Sequence, residues 1–129
     1  MSLFKNMFGD LEDTDASKNN VKWKLLTNIS QLDEIAALSA ETPVAIFKHS
    51  TRCGVSRMVL KQFENEFRPD TKVTPYFLDL LAHRDVSNAI SEKFNVMHQS
   101  PQLLLIKDGK SVYDASHGDI SPAELSQNL

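Results

Sequence analysis

The chain has 129 residues and a formal net charge of −3, with 41% hydrophobic and 24% charged residues, the balance of one globular domain and not of a disordered chain. An acidic balance excludes general binding to nucleic-acid phosphates, which takes a surplus of Lys and Arg, and no apolar run approaches the roughly 20 residues that cross a bilayer. The one cysteine, Cys53, excludes an intrachain disulfide framework and fits a cytoplasmic protein.

Residues 1–20 read as a flexible tail. Asp10, Glu12, Asp13 and Asp15 stand against Lys5 and Lys18, four acids and two bases for a local charge of −2. Leu3, Phe4, Met7, Phe8 and Leu11 recur at the spacing of one helical face, but Gly9 interrupts a segment already too short to hold a helix alone. The stretch also lacks the apolar region and cleavage site of a signal peptide. The domain is expected to occupy residues 21–129.

Strand and helix then alternate. Val21 to Thr27 is rich in strand formers, and Ser30-Gln31-Leu32-Asp33 supplies a cap with an acid three residues on, predicting a helix through about Leu38. Val44-Ala45-Ile46-Phe47 is the continuous apolar run of a strand buried on both faces, and should be central. Beyond Cys53, Val55, Met58, Val59, Phe63 and Phe67 keep a helical period, with Gln62 as its polar exception, until Pro69 stops it. Val73 to Leu81 predicts a further strand, and Val86, Ala89, Ile90 and Phe94 the inner face of a third helix. Leu103 to Ile106 and Ser111 to Tyr113 flank Asp108-Gly109, the favoured pair for a type I′ hairpin turn. Ser121-Pro122-Ala123-Glu124 is a capping box that opens a short last helix. The order is β-α-β-α-β-α-β-β-α, an α/β fold with a central mixed sheet flanked by helices.

Cys53 falls at the junction of the central strand and the second helix, where open α/β sheets bind their ligands. Between Thr42 and Phe63 the chain carries Lys48, Arg52, Arg57 and Lys61 and no acid, a local charge of +4. Helix N-termini and nearby cations favour thiolate over thiol, so this setting predicts a reactive sulfur rather than an inert core cysteine. Arg57 lies one turn beyond Cys53, and Ser56, at i+3, is placed to offer a hydroxyl toward the sulfur. His49, His83, His98 and His117 show no metal-ligand spacing and are read as surface or tuning residues, so no metal site is expected.

Cys53-Gly54-Val55-Ser56 after an apolar strand, with Ser100-Pro101 before the Leu103 strand, resembles the thioredoxin-like fold, its CxxC become CxxS. The resemblance implies a cis Pro101 facing Cys53, with a backbone edge left free for an extended substrate. More narrowly, Phe47-Lys48-His49-Ser50-Thr51-Arg52-Cys53, Gln99-Ser100-Pro101-Gln102 and Ala115-Ser116-His117 resemble the monothiol bacilliredoxin-like proteins of the bacillithiol system, with Gly54 where that family usually has Pro. That resemblance implies a thiol-disulfide oxidoreductase with Cys53 and Ser56 as catalytic residues and no tightly bound cofactor. Bacillithiol, or another low-molecular-weight thiol, would be its co-substrate. Its partners would be bacillithiolated proteins and either free thiol or a reducing redox protein, with Ser100, Pro101, Arg52, Arg57 and Lys61 binding substrate. Cys-Gly-x-Ser also resembles the monothiol glutaredoxins, which carry iron–sulfur clusters, although no Gly-Gly-Cys-Asp segment follows the hairpin. A thioredoxin-like adaptor that binds an extended peptide without chemistry is the remaining alternative.

Overall fold

The structure is a computed structural model and describes residues 20–129. Most of the tail, with its candidate helical face, therefore lies outside the described residues. Asn20 is included, and its amide donates to the carbonyls of Glu64 and Asn65.

Within the described residues, five strands and four helices follow in the expected order. They are β1 (Lys24–Leu25), α1 (Gln31–Leu38), β2 (Val44–His49), α2 (Gly54–Glu66), β3 (Thr74–Asp79), α3 (Arg84–Phe94), β4 (Gln102–Lys107), β5 (Lys110–Ser116) and α4 (Pro122–Gln127), with a 3-10 turn over His117–Asp119. The sheet order is β1-β3-β2-β4-β5, with β2 parallel to β3 and antiparallel to β4. This is the thioredoxin-like mixed sheet that the sequence resemblance implied.

Every residue of β2 is buried, because strands pair with both of its edges and helices cover both of its faces. Val44 and Ile46 join Leu32, Ile35 and Ile90 in the layer beneath α1 and α3. Ala45 and Phe47 join Phe63, Leu103 and Leu125 in the layer beneath α2 and α4. The period of two along a strand thus divides the apolar run between two interiors.

The structure corrects four details. The first strand pairs only over Lys24 and Leu25, because the residues before it are held to α2: Trp23 lies 5.9 Å from the Phe47 and Phe63 rings and donates to the Glu64 carboxylate at 2.6 Å. The third spans Thr74–Asp79, shorter than Val73 to Leu81. Ser30 makes no side-chain cap on α1; the box is formed two residues earlier, where Asn28 Oδ1 accepts from Ser30 N and Gln31 Oε1 accepts from Thr27 N and Asn28 N. On α2 the inward face is Ser56, Val59 and Phe63, which leaves Val55 46% and Met58 64% exposed.

The hairpin follows its turn chemistry. Asp108 at φ 52° and Gly109 at φ 76° give the two positive dihedrals of a type I′ turn. Its tip is tied to the end of α1, Gly109 N donating to Ser39 Oγ at 2.8 Å and Asp108 N to Ser39 O at 3.0 Å. A Cβ on Gly109 would meet no atom within 4 Å, so Gly109→Ala carries only the backbone cost of a left-handed residue. A loss of about 1–2 kcal/mol is expected in urea unfolding.

Candidate active site

Cys53 is the N-cap of α2, in extended conformation (φ −104°, ψ 120°) and half-buried. Its N–H donates to Ser50 O at 3.2 Å, closing a tight turn after β2, and its carbonyl accepts from Arg57 N at 3.1 Å as the first bond of the helix. The unpaired N–H groups of the first turn and the helix dipole favour negative charge at this end. No acidic side chain occupies that turn, so nothing there competes with a thiolate.

Of the predicted cations, Arg57 is the one bonded to the cysteine loop. Its Nη1 donates to Thr51 O at 3.1 Å, and its Nη2 stands 3.8 Å from where a Cβ on Gly54 would be. The guanidinium therefore folds back across Gly54 toward the turn that carries the sulfur. Arg52 and Lys61 are exposed, and neither forms an ion pair among the described residues.

Ser56 does something other than what its spacing suggested. It is fully buried, and its hydroxyl accepts from Ser50 N at 3.1 Å and lies 2.8 Å from His49 Nδ1. No hydrogen bond joins it to the Cys53 sulfur; it fixes the turn on which the sulfur rides. His49, read from sequence as a surface or tuning residue, is only 5% exposed and packs 5.5 Å from the Phe77 ring. Burial holds its pKa below the ordinary value, with Arg57 adding to the effect and Asp79 and Glu64 opposing it.

Lys48 belongs to the opposite face of β2. It is fully buried, its Nζ lies 2.8 Å from His98 Nδ1, and burial pushes its pKa down to about 8. It therefore adds no charge on the side of the sheet where α2 begins. A lysine inside an otherwise apolar central strand was the signal for this pair, and the count of local cations concealed it.

The Ser100–Pro101 peptide is cis. The pairing of Phe47 with Leu103 and of Lys48 with Gln102 sets Pro101, one residue before β4, level with His49 at the end of β2. Pro101 is buried and its carbonyl accepts from His117 N at 3.1 Å, while the buried Ser100 Oγ has no partner. Ser100 and Pro101 thus stand across the end of the sheet from the cysteine turn. Among the described residues no group of His, Cys, Asp or Glu side chains is arranged to hold a metal, and no helix is long and apolar enough to cross a membrane. Chemically, the arrangement offers one half-exposed sulfur that can form a mixed disulfide and has no second cysteine with which to close an internal one.

A model of the monothiol bacilliredoxin BrxC family matches residues 24–125. Among solved structures, a candidate oxidoreductase with a thioredoxin fold is 33% identical, with a TM-score of 0.69 over 81% of this chain and 90% of that one. Thioredoxin from Malassezia sympodialis is 17% identical with a TM-score of 0.64, over 84% and 89% of the two chains. Thioredoxin from Fasciola hepatica is 18% identical with a TM-score of 0.61, over 81% and 93%. The last two share the fold.

Two stability measurements test this geometry. Ser56→Ala strands a buried amide and a buried imidazole nitrogen, so a loss of about 2 kcal/mol is expected in urea unfolding. Lys48 holds its proton less tightly folded than unfolded, so its burial penalty is full below about pH 8 and fades toward pH 10.5. Measured against Lys48→Met, the stability of the natural chain should rise across that window.

Proposed function

The chain belongs to the monothiol bacilliredoxin family, and from that membership we propose that it removes bacillithiol from protein mixed disulfides through Cys53. The Cys53 thiolate attacks the bacillithiol sulfur. The S–S bond to the target breaks, the target cysteine leaves as thiolate and takes up a proton, and Cys53 is left joined to bacillithiol. With no second cysteine in the chain, an external thiol resolves this intermediate. Free bacillithiol would give its symmetric disulfide, and a reducing redox protein would serve equally. Bacillithiolated proteins in the cytoplasm are the partners this reading implies.

The observation that supports it best is the placement of a lone thiol at the N-terminus of α2, with the Arg57 guanidinium folded over the turn that bears it. The carboxylates of bacillithiol suit Arg57 and the exposed Arg52 and Lys61. Ser100 and Pro101, leading into β4, would receive the target polypeptide along the backbone before that strand.

Dethiolation of a bacillithiolated protein, followed by mass spectrometry, tests the reading. Cys53→Ser should abolish the reaction, and the natural chain should not reduce insulin at rates typical of a dithiol enzyme. Arg57→Glu should slow both dethiolation and iodoacetamide alkylation of Cys53 about tenfold, because it sets an anion in place of a cation beside the cysteine turn. An anaerobically purified brown dimer, bleached by Cys53→Ser, would replace this function with iron–sulfur cluster delivery.

A further inference from the structure

A fully buried lysine in the central strand of a sheet needs a reason. Removing an ammonium from water costs several kcal/mol unless an opposite charge or good acceptors repay it, and an apolar side chain of similar size serves a core better. Lys48 has no carboxylate partner: the ion pairs among the described residues are Arg68–Asp70 and Lys93–Asp33. Its one hydrogen-bond partner is His98. An ammonium only donates, so His98 Nδ1 accepts and the ring proton resides on Nε2. The neutral ring this requires agrees with the lowered pKa of His98, whose causes are burial, then Lys48, then Arg84.

Beside Lys48, and paired with it across the strands, stands Gln102, also fully buried. Gln102 Nε2 donates to Met97 O at 3.0 Å, and Gln102 Oε1 accepts from Gln99 N at 3.3 Å. Two neighbouring side chains at the end of the sheet thus grip three consecutive residues, Met97 by its backbone, His98 by its ring and Gln99 by its amide. Those residues are exposed, lie outside any helix or strand, and lead directly into Ser100 and Pro101. Met97 is 81% exposed, so the grip presents a large apolar side chain to solvent next to the residues that lead into β4.

We propose that Lys48, acting through His98 and together with Gln102, is a positioning residue that holds the 97–101 loop in the shape that receives the target protein. The assignment rests on the dethiolation reading for what the loop binds, and on geometry alone for the grip. Lys48 points away from the α2 face of β2, so its loss should weaken target binding and leave the sulfur as reactive as before.

The test uses the full chain with Lys48→Met, a change that removes a buried charge and should leave the fold intact. Steady-state dethiolation should show KM for the bacillithiolated protein raised about tenfold, with kcat and the alkylation rate of Cys53 within about twofold. In nitrogen-15 spectra the His98 ring should lose the signature of a single Nε2–H tautomer, and the Gln99 amide should exchange with solvent faster. His98→Ala should reproduce the KM effect, and His98→Gln, which keeps an acceptor, should recover part of it. Unchanged His98 and Gln99 signals would overturn the grip. A fall in kcat and alkylation rate at constant KM would overturn the positioning role, because Lys48 would then be acting on the sulfur. If the natural chain shows no dethiolation at all, the functional reading fails, and the His98 and Gln99 signals alone decide the grip.

Discussion

The side-chain alternation at the end of β2 organises the site. That strand is paired on both edges and buried on both faces, so each side chain at its C-terminal end must enter one of two interiors. Lys48 enters the layer of α1 and α3, and His49 the layer of α2. Buried polar groups take partners, and each finds one on a different loop: Ser56 in the first turn of α2 for His49, His98 in the approach to β4 for Lys48. The His49 carbonyl accepts from Leu80 N at 3.0 Å, which ties the connection after β3 to the same point. Three loops are therefore registered to two adjacent residues, and a one-residue slip of β2 would exchange their faces and release all three.

The same alternation decides which charges matter at the sulfur. Summed along the sequence, Lys48, Arg52, Arg57 and Lys61 give +4, but the sum ignores direction. Lys48 is committed to the far face, and exposed Arg52 and Lys61 act through water and salt, where ionic screening weakens charges within roughly 8–10 Å. Arg57 is exposed as well, but a hydrogen bond to Thr51 O holds its guanidinium against the loop. Of the four cations, only the Arg57 guanidinium is bonded to the cysteine turn, where it joins the start of α2.

What could be read from sequence was whatever neighbouring residues decide among themselves. The Asp108-Gly109 turn, the Ser121 cap, which accepts from Glu124 N at 3.4 Å, and the stop before Pro69 are local matters, and each is as expected. The α/β order and the position of Cys53 followed from where apolar runs change period. Features set by packing between distant segments were not legible. Val55 and Met58 fit a helical period as well as Val59 and Phe63 do, and only the position of the sheet decides which of them is inward. The Ser30 box fits the local pattern, but the Gln31 side chain instead reaches back to the amides of Thr27 and Asn28. The roles of Lys48 and His49 needed partners fifty and seven residues away.

The place that a second cysteine would occupy shows why this site is built for one sulfur. Ser56 is fully buried, and its hydroxyl is shared between the Ser50 amide and the His49 ring. A thiol there would be a much weaker acceptor for that amide and a weaker partner for that imidazole, in a setting where unsatisfied polar groups cost about 1–3 kcal/mol each. The serine is thus part of the framework that shapes the cysteine turn, and the geometry that secures Cys53 occupies the space of an internal resolving thiol. Under the proposed reaction, resolution must then come from the solvent side. There Cys53 is half-exposed between Arg52 and Gly54, with Val55 and Met58 uncovered on the same turn of chain. A monothiol chemistry follows from how β2 is anchored as much as from the count of cysteines.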